Sequence, residues 1–367
     1  MIRSSRGLIM SFLQWNRPEQ LERLLYELVG WDSRTLTVGE KEFAHKLKRK
    51  LQELDYFQTN SRYLELHHAG MERYAVTAFY KTEQTKDTIV LLSHYDTVHT
   101  EEYGDLKDLA FQPKELGQAL KERKNDLTEE ARKDLESGEY IFGRGTMDMK
   151  MGLALHMQLL EQAIVEEWPI NLLLVTVPDE EVNSAGMRTV IPELLQLEKE
   201  HQLNYTLFLN GEPSFSQTPA DQNHYVYSGS IGKIMPTALI YGKETHVGEP
   251  LSGITANYIA SFLTQQMEWN PLFKESDLGE ETPLPVTLLQ KDLKMEYSTQ
   301  TPHRVKALYN VFMMKRTAEE TMELFRSIAE EAATQCNEHY KQICQKENIT
   351  PIGKIRVQTY EELHNYA

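Results

Sequence analysis

The stretch Thr88-Ile-Val-Leu-Leu-Ser-His-Tyr-Asp-Thr-Val-His99 sets the reading of the whole chain. From Ile89 to Leu92, β-branched and leucine residues follow one another without polar alternation, as in a strand buried on both faces of a parallel sheet. The run then breaks off into His94 and Asp96. Open α/β sheets place their sites in the crevice at the carboxyl ends of their strands. The predicted strand therefore aims a histidine and a carboxylate at a candidate site.

Upstream, Pro18–Val29 carries Leu21, Leu24, Leu25 and Leu28 at helical spacing, and a second helix is predicted from about Glu40 with Phe43, Leu47 and Leu51 on one stripe. Tyr63–Leu66 and Tyr74–Tyr80 read as strands joined by a turn at Gly70. Downstream, Glu101–Glu139 turns polar, with Lys and Glu mixed through Lys121–Lys133, and reads as a solvated surface excursion without chemistry. An apolar helix, Leu153–Ile164, is followed by a buried strand in Trp168–Val177, a helix over Met187–Glu198 and a fourth apolar strand, Tyr205–Leu209. Strands and helices alternating through short loops predict an α/β fold, a mostly parallel sheet flanked by helices on both faces.

The pattern changes from Tyr225. A strand pair or long strand in Tyr227–Tyr241, a helix in Ile254–Met267, strands in Leu284–Tyr297 and Val305–Lys315, a long helix over Ala318–Lys346 and a last strand, Lys354–Thr359, follow one another. This β-α-β-β-α-β order predicts a ferredoxin-like α+β unit. The expected organisation is an α/β domain over residues 1–224 and a second domain over 225–367, with the boundary in the polar Ser214–His224 segment.

A length of 367 residues, 40% apolar residues and mixed charges indicate a globular protein. The formal charge of -16 argues against nucleic acid as a partner, because phosphate contacts require a basic face. Cys336 and Cys344 fall in one predicted helix, where eight residues rise about 12 Å. A disulfide needs Cα atoms within about 7 Å, so both are expected as free thiols in a reducing, cytoplasmic setting. Arg3 and Arg6 before Gly7–Met10 imitate a signal peptide, but the apolar part is short and no small-residue cleavage site follows; Met10 is an alternative start. No segment approaches the roughly 20 apolar residues of a membrane span.

Four features stand at predicted strand ends or loops: His94 with Asp96, Asp148, the Glu180–Glu181 pair, and Glu212. Imidazole and carboxylates suit divalent transition metals, and hydrolysis requires an open coordination position for water. Asp96 is placed to hold the second ring nitrogen of His94, fixing its tautomer. Adjacent glutamates point different ways, so one can bind metal while its neighbour acts as a general base. Each piece alone has a plainer explanation: strand-end histidines are more often structural, and Glu-Glu pairs are common on solvated loops. Gly143-x-Gly145 invites a nucleotide-loop reading, but the third glycine of that fingerprint is missing and Asp148 stands in its place. Order and placement together favour two metals.

Ser93-His-Tyr-Asp-Thr-Val98, Gly143-Arg-Gly-Thr-Met-Asp-Met-Lys150, Asp179-Glu-Glu181 and Gly211-Glu-Pro213 resemble the successive metal motifs of the M20 zinc metallopeptidases and deacylases, most closely their arginine-utilisation (RocB-type) branch. The resemblance implies a zinc-exopeptidase-like α/β domain with an inserted ferredoxin-like lid through which a homodimer forms. It implies two zinc ions, with His94 and Glu212 on one, Asp148 bridging and Glu181 on the other. Asp96 orients His94, and Glu180 is the base that carries a proton from water to the leaving amine of a peptide or N-acyl amino acid. Gly242–Pro250 with Ala256-Asn257 is similar to the lid segment, where His246 helps stabilise the tetrahedral intermediate, in dimers from the neighbouring subunit.

Two departures stand out. Met151 occupies a position where the family usually has glycine. The family's catalytic domain also resumes after the lid and supplies a last zinc-binding histidine. Here the only tail histidine is His364, in Glu-Leu-His-Asn-Tyr, a setting unlike that motif. The expectation is a truncated chain with an incomplete second zinc site. The alternative function is a metal-poor, non-catalytic binding or assembly protein that keeps the fold.

Overall fold

Seven consecutive buried residues, Asn171–Val177, form the strand around which the first sheet is built. The computed structural model describes residues 13–214 and 223–366; the chain divides into two units, Met1–Tyr225 and Val226–Ala367. In the first, helices α1 (Pro18–Gly30) and α2 (Val38–Leu51) precede strands β1 (Leu64–His68), β2 (Tyr74–Tyr80) and β3 (Asp87–His94). Helices α3 (Pro113–Glu122), α4 (Glu129–Ser137) and α5 (Met151–Glu166) lead to β4 (Asn171–Val177), α6 (Ala185–His201) and β5 (Asn204–Asn210). The strand order is β1-β2-β4-β3-β5. The sheet is mixed: β3 runs parallel to both β4 and β5, whereas β1–β2 and β2–β4 are antiparallel.

Period-two alternation in the strands divides the core into two layers. Leu91, Leu172 and Leu174 pack with Leu28, Phe43, Leu47, Leu153, Met157 and Leu160 from α1, α2 and α5. Val90, Leu173 and Val175 pack with Val190 and Leu194 of α6. The continuous apolar runs of β3 and β4 thus reflect helices on both faces, as expected. β5 departs from that expectation. It is an edge strand, and Leu207, Phe208 and Leu209 are 46%, 48% and 37% exposed, because the helices close over β3 and β4 rather than over the edge.

The charged excursion folds as α3 and α4, anchored by buried Pro113, Leu116 and Leu135. Surface pairs such as Lys124–Glu136 and Lys133–Glu129 cover its outer side. The signal-like segment, apart from Leu13, lies outside the described residues, as does most of the Ser214–His224 boundary. No helix among the described residues is long and apolar enough to cross a membrane.

In the second unit, β6 (Gly232–Ile234) and β7 (Thr237–Tyr241) pair in succession with β9 (Arg304–Met313), and β8 (Val286–Asp292) pairs with its other edge, all antiparallel. Helices α7 (Ala256–Met267) and α8 (Ala318–Lys346) supply Leu263, Met267, Phe325 and Ile328 to a core with Ala307, Tyr309 and Val311. Cys336 and Cys344 are free and buried in α8. The expected last strand, Lys354–Thr359, is absent. The Asn337 side chain takes both backbone groups of Ile355, accepting from its N–H at 2.8 Å and donating to its carbonyl at 3.0 Å, so these groups are spent on α8 rather than on a ladder. Thr359 then caps a short helix, Tyr360–Tyr366. The ferredoxin-like order is therefore complete except for its final strand.

Gly152, next to Met151, is one of the glycines that close backbone packing requires in the first unit. A Cβ built there would lie 2.1 Å from the Gly211 carbonyl oxygen, so the start of α5 and the end of β5 meet backbone to backbone. Gly152→Ala should destabilise the protein by roughly 1–3 kcal/mol through overpacking, measured by denaturant unfolding; an unchanged midpoint would show that the two backbones can separate freely.

Candidate metal centre

Three parallel strands end at the same edge of the first sheet and deliver their next residues together. β3 ends at His94. Tyr95 N–H extends its pairing to the Val177 carbonyl at 3.0 Å, just before the turn that carries Glu180 and Glu181. Gly211 N–H donates to Leu92 O at 3.0 Å, which places Glu212 on the other side of the histidine. Asp148 arrives on the loop before α5. There Gly145 adopts a left-handed φ of 76°, Arg144 N–H is held by Ala110 O, and the Asp148–Met149 peptide is cis.

The His94 ring is 2% exposed, and its two nitrogens face different surroundings. Nδ1 lies 3.0 Å from the Asp96 carbonyl oxygen and 3.5 Å from its carboxylate. Both are acceptors, so Nδ1 donates to Asp96 while Nε2 faces the acids. Asp96 thus orients His94, with its backbone oxygen nearer than its carboxylate. From Nε2, Asp148 stands at 3.0 Å, Glu212 at 3.4 Å and Glu180 at 3.9 Å. Ligand atoms within 4.8 Å of one another form two clusters, His94–Glu180–Glu212 and His94–Asp148–Glu181. Every unit-one residue singled out in the sequence is therefore brought together. Glu180 shares a cluster with His94 and Glu212, whereas the sequence reading keeps it apart from the ligands.

His246 belongs to the second unit, where it is exposed, bridges to Gln300, and accepts the Gly248 N–H on Nδ1 at 3.1 Å. His364 is exposed beside Tyr360 and joins neither cluster.

Charge crowding shapes the site. Burial opposes the charged form of His94, but the hydrogen bond to Asp148, the Asp96 carboxylate and the charge of Glu212 prevail and push it up to about 11. The Asp148 hydrogen bond to His94 holds that carboxyl below its ordinary value. Burial raises Glu181, with Asp148 adding to the effect. Burial, only partly offset by His94, pushes Glu212 up to about 7. Acids this close call for a cation. One buried imidazole and four convergent carboxylates, half-open to solvent, have the donor chemistry of a divalent transition metal centre.

Sequence reasoning missed the support beneath these ligands. Asp96 is fully buried; its Oδ1 accepts Glu180 N–H at 3.0 Å, and its Oδ2 accepts Glu181 N–H at 3.2 Å and the Thr35 hydroxyl at 3.0 Å. Arg73, Asp179 and Glu40 form a buried network in which Nη1 of Arg73 lies 2.6 Å from Asp179 and 3.5 Å from Glu40. Asp179, at a left-handed φ of 64°, also accepts Ala185 N–H, so this network shapes the turn that presents Glu180 and Glu181. Burial, opposed by Leu36 N–H and Arg73, pushes Glu40 up to about 7. An arginine in a polar turn carries no periodic signal, and its partners are 33 and 106 residues away. Arg73→Met should cost about 3–5 kcal/mol by leaving two acids buried without their cation. Chemical denaturation measures this, and a loss under about 1 kcal/mol would contradict the role given to the network.

Residues 90–346 match the profile described as peptidase family M20/M25/M40. The chain is 42% identical over 360 residues to the uncharacterized protein YqjN of Bacillus subtilis, covering 97% of this chain and 66% of YqjN. It is 33% identical over 344 residues to protein RocB of the same organism, covering 91% of this chain and 60% of RocB. The chain thus spans under two thirds of the length of these relatives. Its fold is similar to that of a tripeptidase from Staphylococcus aureus, with a TM-score of 0.52 at 15% identity, over 95% of this chain and 87% of that one. With its four strand-end and loop motifs assembled in one place, the chain belongs to peptidase family M20/M25/M40.

Proposed function

We propose that the protein is a two-zinc amide hydrolase of amino-acid catabolism, arginine catabolism included, acting in the cytoplasm on peptides or N-acyl amino acids. The observation that carries this reading is the convergence of Asp148, Glu180, Glu181 and Glu212 on His94. In this reading His94 and Glu212 would hold one ion and Glu181 the second, with Asp148 available to both. When bound, such ions supply Lewis acidity and lower the pKa of a water.

The protein's own groups do the rest. Asp96 holds Nδ1 of His94, which would leave Nε2 as the ring's ligand atom. Glu180 projects into the half-open space where the acids converge, with its backbone N–H fixed by Asp96. It takes the proton from the attacking water as the O–C bond forms, and returns it to nitrogen as the C–N bond breaks. The products are a carboxylic acid and an amine. His246 of the second unit is assigned to the oxyanion of the tetrahedral intermediate, and that unit to lid and homodimer contacts, by the family resemblance. The acidic charge of -16 supports a small-molecule substrate over nucleic acid.

Glu180→Gln tests the division of labour. It should lower kcat on a dipeptide or N-acyl amino acid by about 10²–10⁴-fold while zinc content, measured by atomic emission, stays at the wild-type level. Zinc lost together with activity would make Glu180 a ligand. Activity retained would remove it as base. Zinc bound without turnover in the wild type would favour a binding protein instead.

A further inference from the structure

Lys150 closes the loop that carries Asp148, and the proposed chemistry leaves it without a role. Its side chain is among the largest that are fully buried. A lysine seldom gives up its hydration without an acidic partner, yet no carboxylate accepts a hydrogen bond from this one among the described residues. Its side-chain nitrogen donates to the Trp31 carbonyl at 2.8 Å and lies 5.0 Å and 5.6 Å from the ring centroids of Phe43 and Phe111. Cation–aromatic attraction at such distances is strongest when desolvated.

The Trp31 and Phe43 contacts lead to the other half of the site. Trp31 begins the segment in which the Ser33 hydroxyl donates to Tyr95 O at 2.6 Å, Thr35 N–H pairs with Thr97 O at 3.0 Å, and the Thr35 hydroxyl donates to Asp96. Phe43 stacks on Tyr95, the residue between His94 and Asp96, at 4.5 Å with an interplanar angle of 7°. On its own side, Lys150 N–H donates to Gly145 O at 2.9 Å and closes the turn around Asp148. A Cβ on Gly145 would stand 3.5 Å from the lysine stem, so the turn rests against the side chain that leaves it.

We propose that Lys150 is a positioning residue: its buried side-chain nitrogen ties the Asp148 loop to the 31–35 segment and to the Phe43–Tyr95 stack, and so sets the spacing between Asp148 and His94. The exchange readout below is independent of the metal-site reading; the zinc readout rests on it.

Lys150→Met keeps most of the volume and removes the donor and the charge. Hydrogen exchange of the zinc-free full chain, followed by mass spectrometry, should show residues 31–35 and 145–150 exchanging about tenfold faster or more, with β2 and β4 unchanged. Zinc titration should show affinity lowered about 10–100-fold. Unchanged exchange in both segments, or faster exchange spread evenly over the chain, overturns the proposal, as does wild-type zinc affinity in the variant. If the wild type itself binds no zinc, the metal reading falls and the exchange pattern still decides the role of Lys150. Should Lys150→Met fail to fold, Lys150→Gln, which keeps a donor but loses charge and reach, should quicken exchange in the same two segments, and failure to do so counts equally against it.

Discussion

The site depends on one buried carboxylate. Asp96 spends its Oδ1 on the Glu180 N–H and its Oδ2 on the Glu181 N–H and the Thr35 hydroxyl, while its carbonyl faces Nδ1 of His94. A carboxylate out of water must have its lone pairs satisfied, and charge-assisted hydrogen bonds to backbone N–H groups do so at fixed geometry. Asp96 therefore decides where the glutamate pair begins and which nitrogen of His94 faces the acids. Remove it, and three separately folded pieces of chain lose their common reference.

Around that point the structure stores charge repulsion that the fold restrains from below. Asp148, Glu181, Glu180 and Glu212 crowd one imidazole, and Glu212 is pushed up to about 7 by burial. Beneath them, Arg73 joins Asp179 and Glu40 under the glutamate turn, and Lys150 stands under the Asp148 loop. Arg73 compensates for burial from inside the protein, and the crowded acids stay half-open on the solvent side.

Much of this was legible in the sequence because it rests on local pattern. The apolar runs ending at Leu92 and Val177 gave buried strands, since helices cover both of their faces. The residues after them gave His94, Asp96, Glu180 and Glu181, because a strand end fixes where its next side chains project. The supporting network was not legible. Arg73 finds Asp179 at a separation of 106 residues, and Lys150 finds Trp31 at 119; no periodicity reports such pairings. The strand expected at Lys354–Thr359 failed for a related reason: its alternation suits a strand, but a distant asparagine, Asn337, captures the Ile355 backbone. β5 shows the converse, an apolar run whose burial the pattern overstates because it lies at the sheet edge.

The most direct measurement is anomalous diffraction at the zinc edge from crystals of the protein grown with zinc. Anomalous density is expected beside Nε2 of His94, among Asp148, Glu180, Glu181 and Glu212. Density confined to other sites, with these side chains unliganded at saturating zinc, would contradict it.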